Sequence, residues 1–149
     1  MTRPPAAPSA SAQSFGRQTP ITDICLLVED IDRSVAFYMD RMGFALRRKH
    51  PHFADFVGLG VTLALWRVDH FRDIAALPPG TPAGGRALVA VQLGGYAELE
   101  DCYRSLRASG IEFTAPPRDL PWNARGVYFA DPDGTFWELY AYRDGLSID

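Results

Sequence analysis

The feature that most constrains the fold of this chain is an order of predicted elements that occurs twice. Each unit begins with a short apolar strand, continues with an amphipathic helix, and ends that helix at a glycine. The strands are predicted at 24–28 and 87–93, the helices at 31–42 and 97–108, and the glycines are Gly43 and Gly110. Asp30 stands where the N-cap of the first helix belongs. Because both the elements and their stops recur, the chain is predicted to contain an internal duplication.

Three further strands are predicted after each helix, so that each unit has the order βαβββ. They lie at 44–49, 53–57 and 61–68 in the first unit and at 111–114, 126–130 and 135–142 in the second. We therefore predict an α+β fold, with a single domain over residues 21–149 made of two βαβββ modules at about 21–68 and 86–143. Residues 69–85 are predicted to be a linker with one helical turn near 71–76. Residues 1–20, rich in Ala, Pro and Ser, are predicted to be a disordered tail.

The last two predicted strands surround the sequence Asp131-Pro132-Asp133-Gly134, which predicts a tight turn between them. Proline presets φ at the second turn position, and Asp and Gly suit the others. The outgoing strand of this hairpin has one carboxylate, Glu138, between two apolar neighbours. An acidic side chain in that setting either bonds a structural partner, such as a backbone amide or Arg125, or contacts a ligand.

Charge and hydropathy exclude several classes of function. The 149 residues have a formal net charge of -3 and no basic run, so binding to nucleic acid or to anionic membranes is not expected. No apolar stretch approaches the roughly 20 residues of a transmembrane helix, and residues 1–20 lack the apolar centre of a secretory signal. Cys25 and Cys102 fall in a predicted strand and a predicted helix, which is typical of buried thiols in a reducing compartment. We therefore expect a cytoplasmic protein.

Several segments of the chain resemble the vicinal-oxygen-chelate superfamily, which includes glyoxalases, extradiol dioxygenases and bleomycin-resistance proteins. They are the run 122–139 with its Glu138, the sequence 30–38, which is similar to the first helix of that superfamily, and the module order over about 21–142. The resemblance implies that each module curls its sheet into half of a cup. It also implies that two modules enclose a pocket, often across a dimer, and we therefore expect a homodimer.

The resemblance further implies where a metal ion would be bound. Metalloenzymes of the superfamily draw His and Glu ligands from the first and last strands of each module. The matching positions in this chain are Asp23, Ala64, Leu88 and Glu138. Ala64 and Leu88 have no donor atoms, and the two remaining carboxylates are too few for a tight divalent-ion site. We therefore expect no metal and no cofactor.

Strand alternation predicts which side chains line the pocket, because successive residues of a strand point to opposite faces. The predicted lining residues are Asp23, Trp66, Gln92, Phe136, Glu138 and Tyr140, with Phe56 at the rim and Trp122 able to stack on a ligand. The rings suit a flat ligand, and the carboxylates suit a cationic or hydrogen-bond-donating one. The alternative is that the aromatic residues belong to the core. His50, His52 and His70 are expected at the surface rather than as ligands.

Two classes of function fit these observations. The first is a metal-independent binding protein that sequesters a partly aromatic metabolite or antibiotic, close in character to the metal-free antibiotic-binding branch of the superfamily. The absence of a complete ligand set favours it. The second is an enzyme: either a metal-dependent glyoxalase- or dioxygenase-type lyase or oxidoreductase that uses Glu138, or an acid–base catalyst that uses Asp23 and Glu138. We assign no catalytic residue, because the sequence has no phosphate loop, nucleophile elbow or cofactor fingerprint.

Overall fold

A computed structural model describes residues 15–58, 60–83 and 87–143, and its strands form two four-stranded sheets. Sheet A has the order β1-β4-β3-β2 and consists of β1 (Asp23–Val28), β2 (Ala45–His50), β3 (Phe53–Val57) and β4 (Thr62–Arg67). Sheet B has the order β5-β8-β7-β6 and consists of β5 (Leu88–Leu93), β6 (Arg118–Leu120), β7 (Ala124–Ala130) and β8 (Phe136–Tyr142). The predicted α+β fold of two βαβββ modules is confirmed.

The two sheets share one pairing pattern, which confirms the internal duplication. In each sheet the first and last strands of the module run parallel, and the remaining pairs are antiparallel. Asp23 lies opposite Thr62 in sheet A, and Leu88 lies opposite Phe136 in sheet B. Counting along the last strands from these pairs places Ala64 and Glu138 at equivalent positions of the two modules.

One predicted strand is wrong. Residues 111–114 do not form a strand, and Phe113 makes only an isolated bridge with Phe129. The strand that pairs with β7 is β6, further along the chain. Pro116 and Pro117 lie between the two segments, and regular pairing begins only after them because proline has no N–H to donate.

The first module helix begins as predicted and ends differently. Helix α2 (Ile31–Ala36) starts at Asp30, whose carboxylate accepts the backbone N–H of Arg33 at 3.0 Å. The prediction of one regular helix over 31–42 is wrong in its second half, where Phe37–Arg41 form a π-helical turn. The wider turn accompanies the burial of two consecutive aromatic side chains, Phe37 and Tyr38.

Two short helices lie outside the predicted module elements. Helix α1 (Phe15–Gln18) lies within the predicted disordered tail and has no buried residue. Residues 1–14 of the predicted tail, and residues 84–86 near the end of the linker, lie outside the described residues. Helix α3 (Val68–Ile74) contacts β1 and β4 and begins earlier than the turn predicted near 71–76. In the described part of the chain, no helix combines the length and apolar character needed to cross a membrane.

The core lies between the sheets and the helices that cover one face of each. The second module helix, α4 (Tyr96–Ala108), contributes the fully buried Leu99. Leu65 of β4 and Trp137 of β8 are also buried, and the ring of Tyr38 lies 5.9 Å from that of Trp137. Because these residues belong to one continuous cluster, the two modules share a core.

The Asp-Pro-Asp-Gly turn between β7 and β8 joins the two modules. Asp131 is 5% exposed, and its carboxylate accepts the hydroxyl of Tyr38 at 2.7 Å and the backbone N–H groups of Asp133 and Thr135 at 2.9 and 2.8 Å. The hydroxyl of Tyr38 accepts the indole N–H of Trp137 at 3.3 Å. Burial and the contact with Asp131 raise the pKa of Tyr38 well above its usual range, so the phenol stays a donor.

The second aspartate of the turn, Asp133, holds the start of helix α2. Its carboxylate accepts the backbone N–H of Glu29 at 3.0 Å, the guanidinium of Arg33 at 2.9 Å and the hydroxyl of Ser34 at 3.1 Å. A carboxylate is favoured at a helix N-terminus because unpaired N–H groups point toward it. The turn of the second module is therefore attached to the first module within one chain.

Candidate functional site

The candidate site lies on the sheet faces turned away from helices α2 and α4, which we call the open faces. Along β8, Trp137 and Leu139 are 3% and 4% exposed, whereas Phe136 between the turn and Trp137 is 50% exposed. The open faces of both sheets hold six of the predicted lining residues. They are Asp23 and Trp66 on sheet A, and Gln92, Phe136, Glu138 and Tyr140 on sheet B.

A cavity of about 550 Å³ lies between β1 and β5, where the two sheets approach each other. Its walls include Cys25, Leu27 and Leu88, which face the open sides of their strands. A larger groove of about 750 Å³ lies on the helix side, between the π-helical turn and residues 130–132. None of the predicted lining residues borders either the groove or the cavity. We place the candidate site on the open faces because six of the predicted residues share them.

Glu138 forms a close pair with a tyrosine that the sequence interpretation missed. The hydroxyl of Tyr128, directly opposite on β7, donates to Glu138 Oε2 at 2.5 Å. Burial and this hydrogen bond raise the pKa of Tyr128 to about 12. Arg125, named from the sequence as one possible structural partner, does not bond Glu138, because it lies on the other face of β7 and bonds Asp119 and Glu100. The register of the predicted hairpin was the signal that could have identified Tyr128.

A second polar pair lies beside the first on the open face of sheet B. The hydroxyl of Tyr140 donates to Oε1 of Gln92 at 3.3 Å, across the parallel pairing of β5 with β8. Phe136 lies at the other end of the same row of β8 and is half-exposed. The structure therefore combines a hydrogen-bonding centre with an accessible ring on one surface.

Trp66 on sheet A is held at the end of β4 by helix α3. Its indole N–H donates to Nδ1 of His70 at 2.9 Å, and its ring packs edge-on against Phe71 at 5.2 Å. His70 stacks on His52 with ring centres 4.3 Å apart. The predicted surface location is wrong for these two histidines, which are half-buried beside Trp66, whereas His50 is exposed.

Phe56 does not line the pocket rim, and that prediction is wrong. It is 1% exposed and packs against Tyr38 and Phe44, with ring centres 5.7 and 5.6 Å apart. Strand alternation explains the result, because Phe56 lies on the core face of β3 while Phe53 and Asp55 lie on its open face.

The remaining predicted residues, Trp122 and Asp23, are exposed and lie apart from the pairs on sheet B. Trp122 is 48% exposed in the turn between β6 and β7. Asp23 accepts the hydroxyl of Thr22 at 2.6 Å. Asp23 belongs to sheet A and Glu138 to sheet B, and within the described residues no hydrogen bond joins them.

The sequence interpretation also missed an arginine pair on sheet A. Arg47 and Arg48 of β2 both bond the carboxylate of Asp55 at 2.5 Å, and Asp55 is 1% exposed. Hydrogen bonds from Arg47 and then from Arg48 hold the pKa of Asp55 well below its usual range. Strand alternation puts consecutive residues of a regular strand on opposite faces, so only the observed strand pairing brings the two arginines together.

The side chains at the expected ligand positions do not fit a divalent metal. Ala64 is 3% exposed and, like Leu88, has no donor atom, and the carboxylate of Glu138 already accepts the hydroxyl of Tyr128. No three His, Cys, Asp or Glu residues within 15–58, 60–83 and 87–143 lie close enough together to hold a metal ion. A tight divalent site needs more fixed donors than these faces supply.

The fold and the open faces define a class of proteins with paired βαβββ modules, and comparison with known proteins identifies the family. The model of the Glyoxalase/Bleomycin resistance protein/Dioxygenase superfamily matches residues 21–139. This chain belongs to that superfamily. No curated protein matches it significantly.

Solved structures from several bacteria are similar to this chain. A glyoxalase/bleomycin resistance protein/dioxygenase from Nocardioides is 43% identical, with 89% of each chain covered and a TM-score of 0.79. A glyoxalase-related enzyme from Fulvimarina pelagi is 25% identical, with 82% of this chain and 87% of that chain covered and a TM-score of 0.69. A lactoylglutathione lyase from Agrobacterium tumefaciens is 22% identical over 82% of this chain and 92% of that chain, with a TM-score of 0.67, and shares the fold.

Proposed function

We propose that the protein is a metal-independent binding protein that sequesters a small, partly aromatic metabolite or antibiotic on its open faces, as a bleomycin-resistance-like protein. The observation that carries the proposal is the hydrogen bond between Tyr128 and Glu138. Among the four matching positions, Glu138 alone has the residue type that serves as a ligand in the metalloenzymes. Its carboxylate already accepts the hydroxyl of Tyr128. Ala64 and Leu88 occupy two of the other matching positions and supply no donor atoms. Leu88, which is 50% exposed, adds apolar surface, whereas Ala64 is buried.

The chemistry of the open faces supports binding of a ring with polar substituents. Trp66 is oriented by its bond to His70, and Phe136 is half-exposed, so each offers a ring surface to a flat molecule. The Gln92–Tyr140 pair supplies an amide and a hydroxyl that can exchange hydrogen bonds with a ligand. Such apolar surfaces with few polar groups are typical of small-molecule sites.

A tryptophan fluorescence titration tests the proposal. Purified protein is titrated with bleomycin-type drugs and with other flat aromatic metabolites, and the emission is compared for wild type, Trp66→Phe and Trp122→Phe. We expect a saturable change in wild type that is lost in Trp66→Phe, because Trp137 is buried in the core and reports little from the open faces. The proposal fails if no compound changes the emission, or if Trp66→Ala binds as tightly as wild type.

Elemental analysis of protein purified without chelators separates this proposal from a metal-dependent glyoxalase- or dioxygenase-type enzyme. We expect substoichiometric Zn, Ni, Mn and Fe. A stoichiometric metal that disappears together with turnover in Glu138→Ala, and is retained in Asp101→Asn on the exposed side of α4, would replace the binding proposal by the enzymatic one.

We also propose that the protein is a homodimer located in the cytoplasm. Ile21, Val57 and Val61 are 76%, 58% and 44% exposed at one end of sheet A, and clustered exposed apolar side chains are typical of protein interfaces. Cys25 and Cys102 are free thiols, which suits a reducing compartment. Light scattering after gel filtration should give twice the chain mass of 16.5 kDa, and Val61→Glu should reduce it to the monomer. A monomeric wild type would contradict the dimer.

A further inference from the structure

We propose that Arg47 and Arg48 on the open face of sheet A bind an anionic group of the ligand, so that the ligand class is an aromatic molecule with a carboxylate, sulfonate or phosphate. The inference rests on the proposed function, because it specifies the chemistry of the molecule bound there. It changes the expectation drawn from Asp23 and Glu138, which favoured a cationic ligand.

A β-bulge creates the arginine pair. Leu46 lies opposite Phe56 and Arg48 lies opposite Asp55, so the pairing register of β2 with β3 shifts between Leu46 and Arg48. Arg47 is the extra residue, and its guanidinium reaches the same carboxylate as that of Arg48. Bulges bend a strand and redirect a side chain, and they are frequent next to active sites.

The charges of the trio do not cancel. Asp55 stays ionised because both guanidiniums bond it, and at 1% exposure it cannot itself contact a ligand. Asp55 balances only one of the two guanidiniums. Asp23 acts on both through space but makes no hydrogen bond with either in the described residues, so it does not occupy their N–H donors. If the arginines served only to neutralise Asp55, one of them would be sufficient.

Both guanidiniums keep N–H donors available for a ligand. The side chains of Arg47 and Arg48 are 46% and 57% exposed. Within the part of the chain that the structure describes, Asp55 is the only hydrogen-bond acceptor of either guanidinium. Each guanidinium has more N–H donors than this one carboxylate accepts, and forked donors match carboxylate and phosphate oxygens. The bond to Asp55 also fixes the arginines before the ligand arrives, which reduces the entropy lost on binding.

An aromatic row lies next to the arginine row on the same face. Phe53 pairs with Trp66 and Asp55 pairs with Ala64, so the two rows are neighbours along β3 and β4. Residues two apart on one strand are separated by about 7 Å, which is the size of a ring with one substituent. The guanidinium of Arg48 itself lies over the ring of Phe53, 5.9 Å from the ring centre. A ligand ring that stacks on the neighbouring Trp66 therefore places an attached anionic group at the arginines.

Asp23 and the arginine pair lie on opposite edge strands of sheet A, so the electrostatic potential differs between the two edges of its open face. Hydrogen bonds to Asp55 are the main cause of the raised pKa of Arg47 and Arg48, and Asp23 adds a smaller contribution through space without a hydrogen bond to either in the described chain. An anion is attracted by the arginines and repelled by Asp23, so the anionic end of a ligand points toward β2.

The test compares two probes that differ only in charge, 2-naphthoate and 2-naphthamide, by isothermal titration calorimetry on the full chain. Variants are Arg47→Gln and Arg48→Gln, each of which leaves one arginine on Asp55, and the control is Arg104→Gln, an exposed arginine of α4. We expect each site variant to weaken 2-naphthoate binding about tenfold or more, as for the loss of one charged hydrogen bond. Binding of 2-naphthamide should stay within about twofold in every variant, and added salt should weaken only 2-naphthoate.

The outcomes separate this inference from the proposed function. If Arg47→Gln and Arg48→Gln change the affinities for both probes equally, or leave both unchanged, the anionic class is wrong while Trp66-dependent binding of aromatic compounds can still stand. If 2-naphthoate does not bind at millimolar concentration, the anion site is refuted. The proposed function is then tested separately by the tryptophan fluorescence titration. Unchanged melting temperatures of the variants exclude unfolding as the cause of weaker binding.

Discussion

The buried carboxylate of Asp131 provides the sharpest test of how the two modules are joined. It accepts a hydroxyl from Tyr38 of the first module and two backbone N–H groups from its own turn. In Asp131→Asn the amide oxygen can keep the N–H groups of Asp133 and Thr135, but the amide nitrogen faces the donating hydroxyl of Tyr38. One hydrogen bond to a charged group is lost and two are weakened, so we expect a loss of about 2–3 kcal/mol in the free energy of unfolding. Asp131→Ala leaves all three donors unpaired and should cost about 4 kcal/mol or more.

Urea unfolding followed by tryptophan emission measures these losses as shifts of the midpoint at an unchanged slope. The matched control is Asp101→Asn, whose exposed side chain bonds only Arg104 and should shift the free energy of unfolding by less than about 0.5 kcal/mol. Tyr38→Phe should destabilise by about 1.5–3 kcal/mol, and the double variant Tyr38→Phe/Asp131→Asn should show a coupling of about 1 kcal/mol or more. If Asp131→Asn unfolds within about 0.5 kcal/mol of wild type, the reasoning that this buried bond joins the modules is refuted.

Three further predictions concern the titratable groups of the open faces. Tyr128 should ionise near pH 12 in a spectrophotometric titration. The stability that its protonated hydroxyl contributes is therefore present below its ordinary pKa of 10.0 and lost as the pH rises through about 12. Glu138→Gln should move this titration to lower pH, because the carboxylate that raises the pKa is removed. The pKa of Asp55 is depressed, so its contribution to stability is present above its ordinary pKa of 3.8 and lost as the pH falls below that value. The urea midpoint of Asp55→Asn should therefore decrease less in acid than the midpoint of wild type. An equal decrease in both proteins would contradict the pairing of Asp55 with the arginines. The expectation of buried thiols is wrong, because the side chain of Cys25 is exposed and that of Cys102 is partly exposed. Partial desolvation and the nearby carboxylate of Asp23 still raise the pKa of Cys25 from 9.0 to about 11, so its thiolate population at pH 8 is about a hundredfold smaller than that of an ordinary thiol. Alkylation by iodoacetamide should therefore be slower in the folded protein than in urea.

The periodic features of the chain were sufficient to predict most elements. Apolar periodicity predicted β3 at its observed bounds and α4 to within one residue, and it predicted the hairpin of β7 and β8. The repeated element order predicted two sheets with the same topology, and the parallel pairs β1–β4 and β5–β8, each in register over six residues, agree with it. Where a local feature interrupted the periodicity, prediction failed: the two prolines delayed β6, and burial of two adjacent rings accompanied the π-helical turn.

The candidate site was less predictable than the fold, because its chemistry depends on which residues stand opposite one another. Alternation placed Glu138 on an open face, but its partner Tyr128 follows from the hairpin register. Phe56 was placed at the rim without the use of alternation, which puts it on the face of β3 opposite to that of Phe53.

Composition, periodicity and turn chemistry are local properties of a chain, and here they were enough to determine two βαβββ modules and the faces of most strands. The arrangement of polar groups depended instead on contacts between residues far apart in sequence. A bulge directs Arg47 and Arg48 to one carboxylate, and the final turn uses Asp131 to bond the first module. Hydrogen bonds and ion pairs form only between groups that strand pairing and packing bring within about 3 Å, so they follow from the assembled structure and not from any local pattern.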